Sequence, residues 1–159
     1  MGQSQRPMRR YLIVLFLSLL AAAPSAWAEP DFSTPEATLK TYLQACQAGD
    51  FAAADACYTA SSREFLAQTP AFTEGRQPEL LVGTYERLSK LTFTTELVNA
   101  KRAILKPNDP KVPPFFMRIQ SPKDKWRIDW HFMANYIRAD ENGWSWGNPK
   151  AEGIWKSRE

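Results

Sequence analysis

Few side chains in this chain could do chemistry, and they fall in three places. His131 is the only histidine of the 159 residues, so a nucleophilic triad or an imidazole-ligated metal would have to run through it. Triads are recognised by geometry and spacing leaves one open, but no glycine pattern of the nucleophile-elbow kind surrounds any serine. One imidazole and two cysteines make a poor zinc set. No glycine-rich loop is present to cradle a phosphate. The residues therefore imply no metal and no cofactor, and His131 is expected as an ordinary strand-end histidine.

Cys46 and Cys57 are the second place. They sit symmetrically about Phe51 and Ala52, just after a Gly49-Asp50 break between two helical patterns. An antiparallel helical hairpin would bring them opposite each other. In an oxidising compartment an even cysteine count favours a bridge, the alternative being two separately buried thiols.

The tryptophans are the third. Apart from Trp27, all of them (Trp126, Trp130, Trp144, Trp146 and Trp155) lie at the C-terminal end. Trp126 and Trp130 read as core. Trp144 and Trp146 stand two apart in Asn142-Gly143-Trp144-Ser145-Trp146-Gly147, on one side of an extended segment between glycine turns. Two aligned indoles could stack on a sugar ring or line a hydrophobic pocket. With Tyr85 they are the candidate contacts to a ligand or partner. The competing role, which large aromatics fill more often, is packing: the tail folds back and plugs the sheet edge.

The N-terminus indicates where these residues work. Arg6, Arg9 and Arg10 precede an apolar run from Tyr11 to Ala23, then Pro24 and Ala26-Trp27-Ala28, the layout of an export signal cleaved after Ala28. The run has 13 residues, short of the roughly 20 that cross a bilayer, so it reads as a signal and not a stable membrane anchor. The arginine pair weakly suggests a twin-arginine signal, but no Ser or Thr directly precedes it and no Lys follows; ordinary secretion is the better reading. Met8 could also start translation. The expected product begins at Glu29 and is periplasmic or secreted. Without the three signal arginines, 17 of the 20 basic residues remain against 17 acidic ones. That balance offers no support for nucleic-acid binding. Removing 28 of 159 residues leaves 131, enough for one domain with a real core.

The elements that must position these residues change period along the chain. Thr34-Pro35-Glu36 reads as a helix start, with Leu39, Tyr42, Leu43 and Cys46 as its buried face and Gly49 as its stop. Asp50 can cap a second helix to about Tyr58, and Ser61 with Glu64 matches a capping box for a third, closed by Pro70. After a loop over 70–77, Pro78 can begin a helix with Leu81, Tyr85 and Leu88 on one side. From Leu91 the period becomes two, with strands expected at 91–98, 101–106, 115–120 and 125–132. Trp126, Ile128, Trp130 and Phe132 then share one parity, facing the helices, while Arg118, Arg127, Asp129 and His131 take the other and face solvent. Helices followed by an antiparallel sheet make an α+β domain.

Ser33-Thr34-Pro35-Glu36-Ala37-Thr38-Leu39, the Ala48-Gly49-Asp50-Phe51 junction and Asp124-Lys125-Trp126-Arg127-Ile128-Asp129 together resemble the nuclear-transport-factor-2-like superfamily, in particular its small exported bacterial domains of unknown function. The resemblance covers residues 33–132. It implies a curved, mainly antiparallel sheet wrapped around helices as a cone, over residues 29–132, often with a pocket and often dimerising through the sheet. Residues 133–159 would be a Trp-rich extension packed on the same domain. The superfamily's isomerase-like members use an acidic base in an apolar cone, and Asp129 is the matching acid. Its outward parity argues instead for a surface ion pair with Arg118, Arg127 or a neighbour, worth about 1 kcal/mol or less. Glu96 is the nearest other acid, on a strand too evenly patterned to orient.

The expectation is therefore an exported binding or assembly module, recognising an apolar small molecule or an envelope protein. A cofactor-free acid-base isomerase or dehydratase and a purely structural envelope protein are the alternatives.

Overall fold

The computed structural model describes residues 29–70 and 77–157. The expected signal segment, 1–28, and most of the expected 70–77 loop lie outside these residues.

Helix α1, Pro35–Ala48, begins where local chemistry requires it. The Thr34 side chain accepts the Ala37 N–H, proline occupies the first turn, and Gly49 ends the helix at φ 66°, a left-handed conformation that glycine adopts without Cβ strain. Asp50 caps α2, Phe51–Asp55, by accepting the Ala53 N–H. Helix α2 is shorter than expected because Tyr58 leaves the helical path and bridges Ile128 in parallel. Helix α3, Ala60–Ala67, is capped by Thr59, which accepts the Ser62 N–H. The start therefore lies two residues before the expected Ser61 cap. Thr59 wins because its backbone is held by the Ile128 carbonyl and its hydroxyl is buried against the Ser62 hydroxyl, 2.6 Å away. Helix α4 spans Gln77–Leu88, with Leu81 and Leu88 buried and Tyr85 half-buried as its spacing implies.

Four strands follow: β1 Phe93–Asn99, β2 Arg102–Pro107, β3 Phe115–Arg118 and β4 Arg127–Ile128. They pair in chain order, all antiparallel. Leu105 opposes Phe115, and Met117 opposes both Ala103 and Ile128. This row meets the helices, with the Tyr42 ring of α1 edge-on to Phe115 at 6.1 Å.

The expected strand 125–132 is overturned after Ile128. Asp129 closes the sheet by donating its N–H to the Phe116 carbonyl. Its side chain then accepts the Phe132 N–H and starts α5, Trp130–Tyr136. A helix has no alternating faces, so Trp130 and Phe132 do not continue the parity of Trp126 and Ile128. The chain ends as a hairpin of β5, Ile137–Asp140, and β6, Gly143–Trp146, then α6, Ala151–Lys156.

These C-terminal elements cover the sheet face expected to meet solvent. Phe116, whose side chain alternates away from Phe115 and Met117, lies 5.0 Å from the Trp155 ring and 5.4 Å from that of Trp146. Arg102 binds the end of α6, donating to the carbonyls of Ile154, Trp155 and Ser157. Both faces of β3 are consequently buried, which explains why Phe115, Phe116 and Met117 are all core residues. Among the described residues no helix is long and apolar enough to cross a membrane.

Candidate functional site

The helix packing leaves a cleft of about 450 Å³ between α4, the loop before β3, and α5. One face of α4 forms its first wall: Leu80, Leu81, Thr84, Arg87 and Leu88 recur at helical spacing. Opposite stand Val112, Pro113 and Phe115 from the loop and β3, with Trp130 and Met133 from α5. Apolar side chains thus dominate the lining, and the volume lies within the roughly 300–1,000 Å³ of small-molecule sites. Among the described residues no carboxylate lines the cleft.

Two buried phenols also line it. Tyr58 donates its O–H to the Tyr42 oxygen at 3.0 Å, and the rings tilt together with centroids 5.6 Å apart. Tyr42 in turn hydrogen-bonds the Cys46 side chain. Burial holds both phenols well above the usual tyrosine range, so they line the cleft as neutral groups. Burial likewise pushes the Cys46 thiol up to about 11 and the Cys57 thiol up to about 12. Both cysteines are free and buried in this structure. Cys57 follows the short α2 and turns its sulfur onto the Ala53 carbonyl at 3.4 Å.

Asp129 corrects an expectation directly. It is 1% exposed, not a surface group, because the β4-to-α5 junction turns it onto β3, where its N–H donates to the Phe116 carbonyl. Its two oxygens are engaged, one by the Phe132 N–H at 3.1 Å and the other by Arg118, also at 3.1 Å. Arg118 was among the expected partners. The carboxylate is a buried helix cap and ion-pair acceptor, and it does not line the cleft. Glu96 lies on the opposite sheet face from the helices, paired with Lys106, whose hydrogen bond holds its carboxyl below the usual range. His131 is exposed on α5 with its ring 5.4 Å from that of Phe65, and its backbone N–H donates to the Ser62 hydroxyl.

The candidate contact residues are not brought together. Trp144 and Trp146 do share a side of β6, 5.9 Å apart and edge to face. They are half-buried against the core, with Trp146 lying on Phe116 and Phe132. Trp155 is 1% exposed, 4.5 Å from the Phe132 ring. This is the packing role weighed for the tail. Tyr85 lines a separate open groove of about 350 Å³ with Glu36, Leu39, Lys40, Leu43 and Phe93.

Sequence reasoning passed over most of the cleft. Tyr42, Leu81 and Leu88 were legible only as buried helix positions, and the 107–114 loop only as a loop. One signal was available: Leu80, Leu81, Thr84 and Leu88 give α4 a wider apolar face than packing on a single neighbour uses. Comparison with family models, curated proteins and solved structures yields no match.

Proposed function

We propose that this chain is an exported binding module whose cleft receives an apolar small molecule. The observation that carries the reading is the convergence of Leu80, Leu81, Leu88, Val112, Phe115, Trp130 and Met133 around about 450 Å³ of space. Burying apolar surface is the dominant favourable term available to such a site. The buried phenol pair supplies neutral polar groups that can orient a ligand without the desolvation cost of a charge. The cone-like architecture implied by the resemblance agrees with a pocket between helices and sheet, and the 1–28 segment supplies the export.

The test is calorimetric titration of the mature chain, residues 29–159, with 1-decanol, a neutral apolar probe. Saturable binding should weaken about tenfold or more in Thr84→Trp, which fills the cleft from a half-buried helix position and, at 1.4 kcal/mol per tenfold, needs to cost little more than that. Its melting temperature should stay close to that of the parent. Absence of saturable binding, or equal binding by the variant, would refute the reading.

A further inference from the structure

We infer that the cleft selects an amphipathic anion, with an acidic head group at its rim and a hydrocarbon body inside; this rests on the cleft being a ligand site. The charges of the lining are one-sided. Arg87, from the last turn of α4, and Lys111, from the loop between β2 and β3, both line the cleft and both are exposed. Among the described residues no carboxylate stands with them in the lining.

Three cations elsewhere are paired, Lys106 with Glu96, Arg118 with Asp129 and Lys156 with Glu152. Arg87 and Lys111 have no ion-pair partner among the described residues. Two acids close in sequence to lining residues accept local backbone N–H groups. Asp109 accepts the Lys111 backbone N–H at 2.9 Å, and Asp140 accepts the Asn142 N–H at 2.8 Å. Two exposed cations in the lining of an apolar cavity place positive charge at its rim, around described interior groups that carry none. Field lines focused at such a mouth favour an anion, and a guanidinium offers a carboxylate or phosphate a bidentate fork.

The interior sets the other half of the ligand. Tyr42 and Tyr58 are held neutral by burial, so neither phenol compensates a second charge. A water's share of liquid volume is about 30 Å³, so about 450 Å³ accommodates on the order of 15 heavy atoms. A medium-chain monoanion fits both the size and the polarity. Carboxylate and phosphate monoester head groups share this chemistry.

The experiment titrates the mature chain with decanoate, decyl phosphate, 1-decanol and decyltrimethylammonium at neutral pH and low salt, then repeats the series with R87Q/K111Q. The anions should bind about tenfold tighter than the alcohol and the cation weaker than it; the tighter anion identifies the head group. The double variant should bring the anions down to the alcohol's affinity, and raised salt should shrink the anion advantage in the parent because the rim is exposed to solvent. Equal affinity for anion and alcohol, or an advantage that survives in R87Q/K111Q, would overturn the inference while leaving the cleft as a neutral apolar site. Failure of all four probes would remove the binding reading itself, and the inference with it.

Discussion

Helix α4 separates two hollows of different character, and neighbouring residues face different ones. Tyr85 looks onto the open groove along α1, while Thr84 looks into the cleft. The groove is bordered by Glu36, Lys40, Gln44 and Gln47, side chains that keep their polar ends in water. Glu36 is engaged there by a hydrogen bond from the Thr95 side chain, which holds its carboxyl below the usual range. The cleft instead reaches the buried Tyr42 and Tyr58 and draws its walls from several distant segments. A lone half-buried aromatic on a helix is therefore a weaker sign of a site than a helix face wider than its packing needs.

The sharpest way to break this contrast acts from behind the cleft wall. Trp155 packs on Phe132 of α5, the helix that presents Trp130 and Met133 to the cleft. Trp155→Ala should cost about 3–5 kcal/mol, seen as a melting temperature lowered by roughly ten degrees or more, with decanol binding weakened as α5 loosens. A melting temperature within a few degrees of the parent would show that the tail does not support the wall.

Asp129→Ala comes next. It removes both the cap of α5 and the buried partner of Arg118, so a loss of about 2–3 kcal/mol is expected, above the roughly 1 kcal/mol of a cap alone. The surface-pair reading of the same residue would give about 1 kcal/mol or less, and urea denaturation separates the two. Smaller again is Tyr85→Ala, predicted to leave decanol affinity within about twofold while Thr84→Trp loses tenfold, under 0.5 against 1.4 kcal/mol. Reversal of that order would move the site to the groove.

The remaining effect is alkaline. Unfolded thiols near the ordinary value of 9.0 release their protons before the folded Cys46 at about 11 and Cys57 at about 12. Above that ordinary value the unfolded state binds fewer protons, so this contribution to stability is complete below about pH 9 and declines as pH rises towards 11. Denaturation midpoints across pH 8 to 11 should fall accordingly in protein kept reduced. If export oxidises the pair to the expected Cys46–Cys57 bridge, oxidised samples would lack two titratable thiols and this decline.

How much was legible follows from where the information lay. Helix α1 was readable because Thr34, Pro35, Glu36 and Gly49 act within one turn of their own positions. Helix α5 was not, because Trp126, Ile128, Trp130 and Phe132 satisfy alternation while Phe132, Met133, Tyr136 and Ile137 equally satisfy helical spacing. Asp129 decides between them, since its carboxylate reaches the Phe132 N–H three residues ahead. The burial of both faces of β3 needed Trp146 and Trp155 to return from the end of the chain. The cleft needed Tyr42, Tyr58, Leu81, Val112 and Trp130 to meet, a juxtaposition that local pattern does not encode. The groove residue Tyr85 stood out in the sequence for its type alone.

The central claim is that the space beside Tyr42 and Tyr58 is the ligand site. Titrating ¹⁵N-labelled mature chain with 1-decanol and mapping amide and indole shifts tests it most directly. The predicted result is a saturable set of shifts at Leu81, Thr84, Leu88, Val112 and the Trp130 indole, with Lys40, Gln44 and Tyr85 nearly still. Shifts confined to the groove or to Trp144 and Trp146, or no saturable shifts at all, would contradict the account.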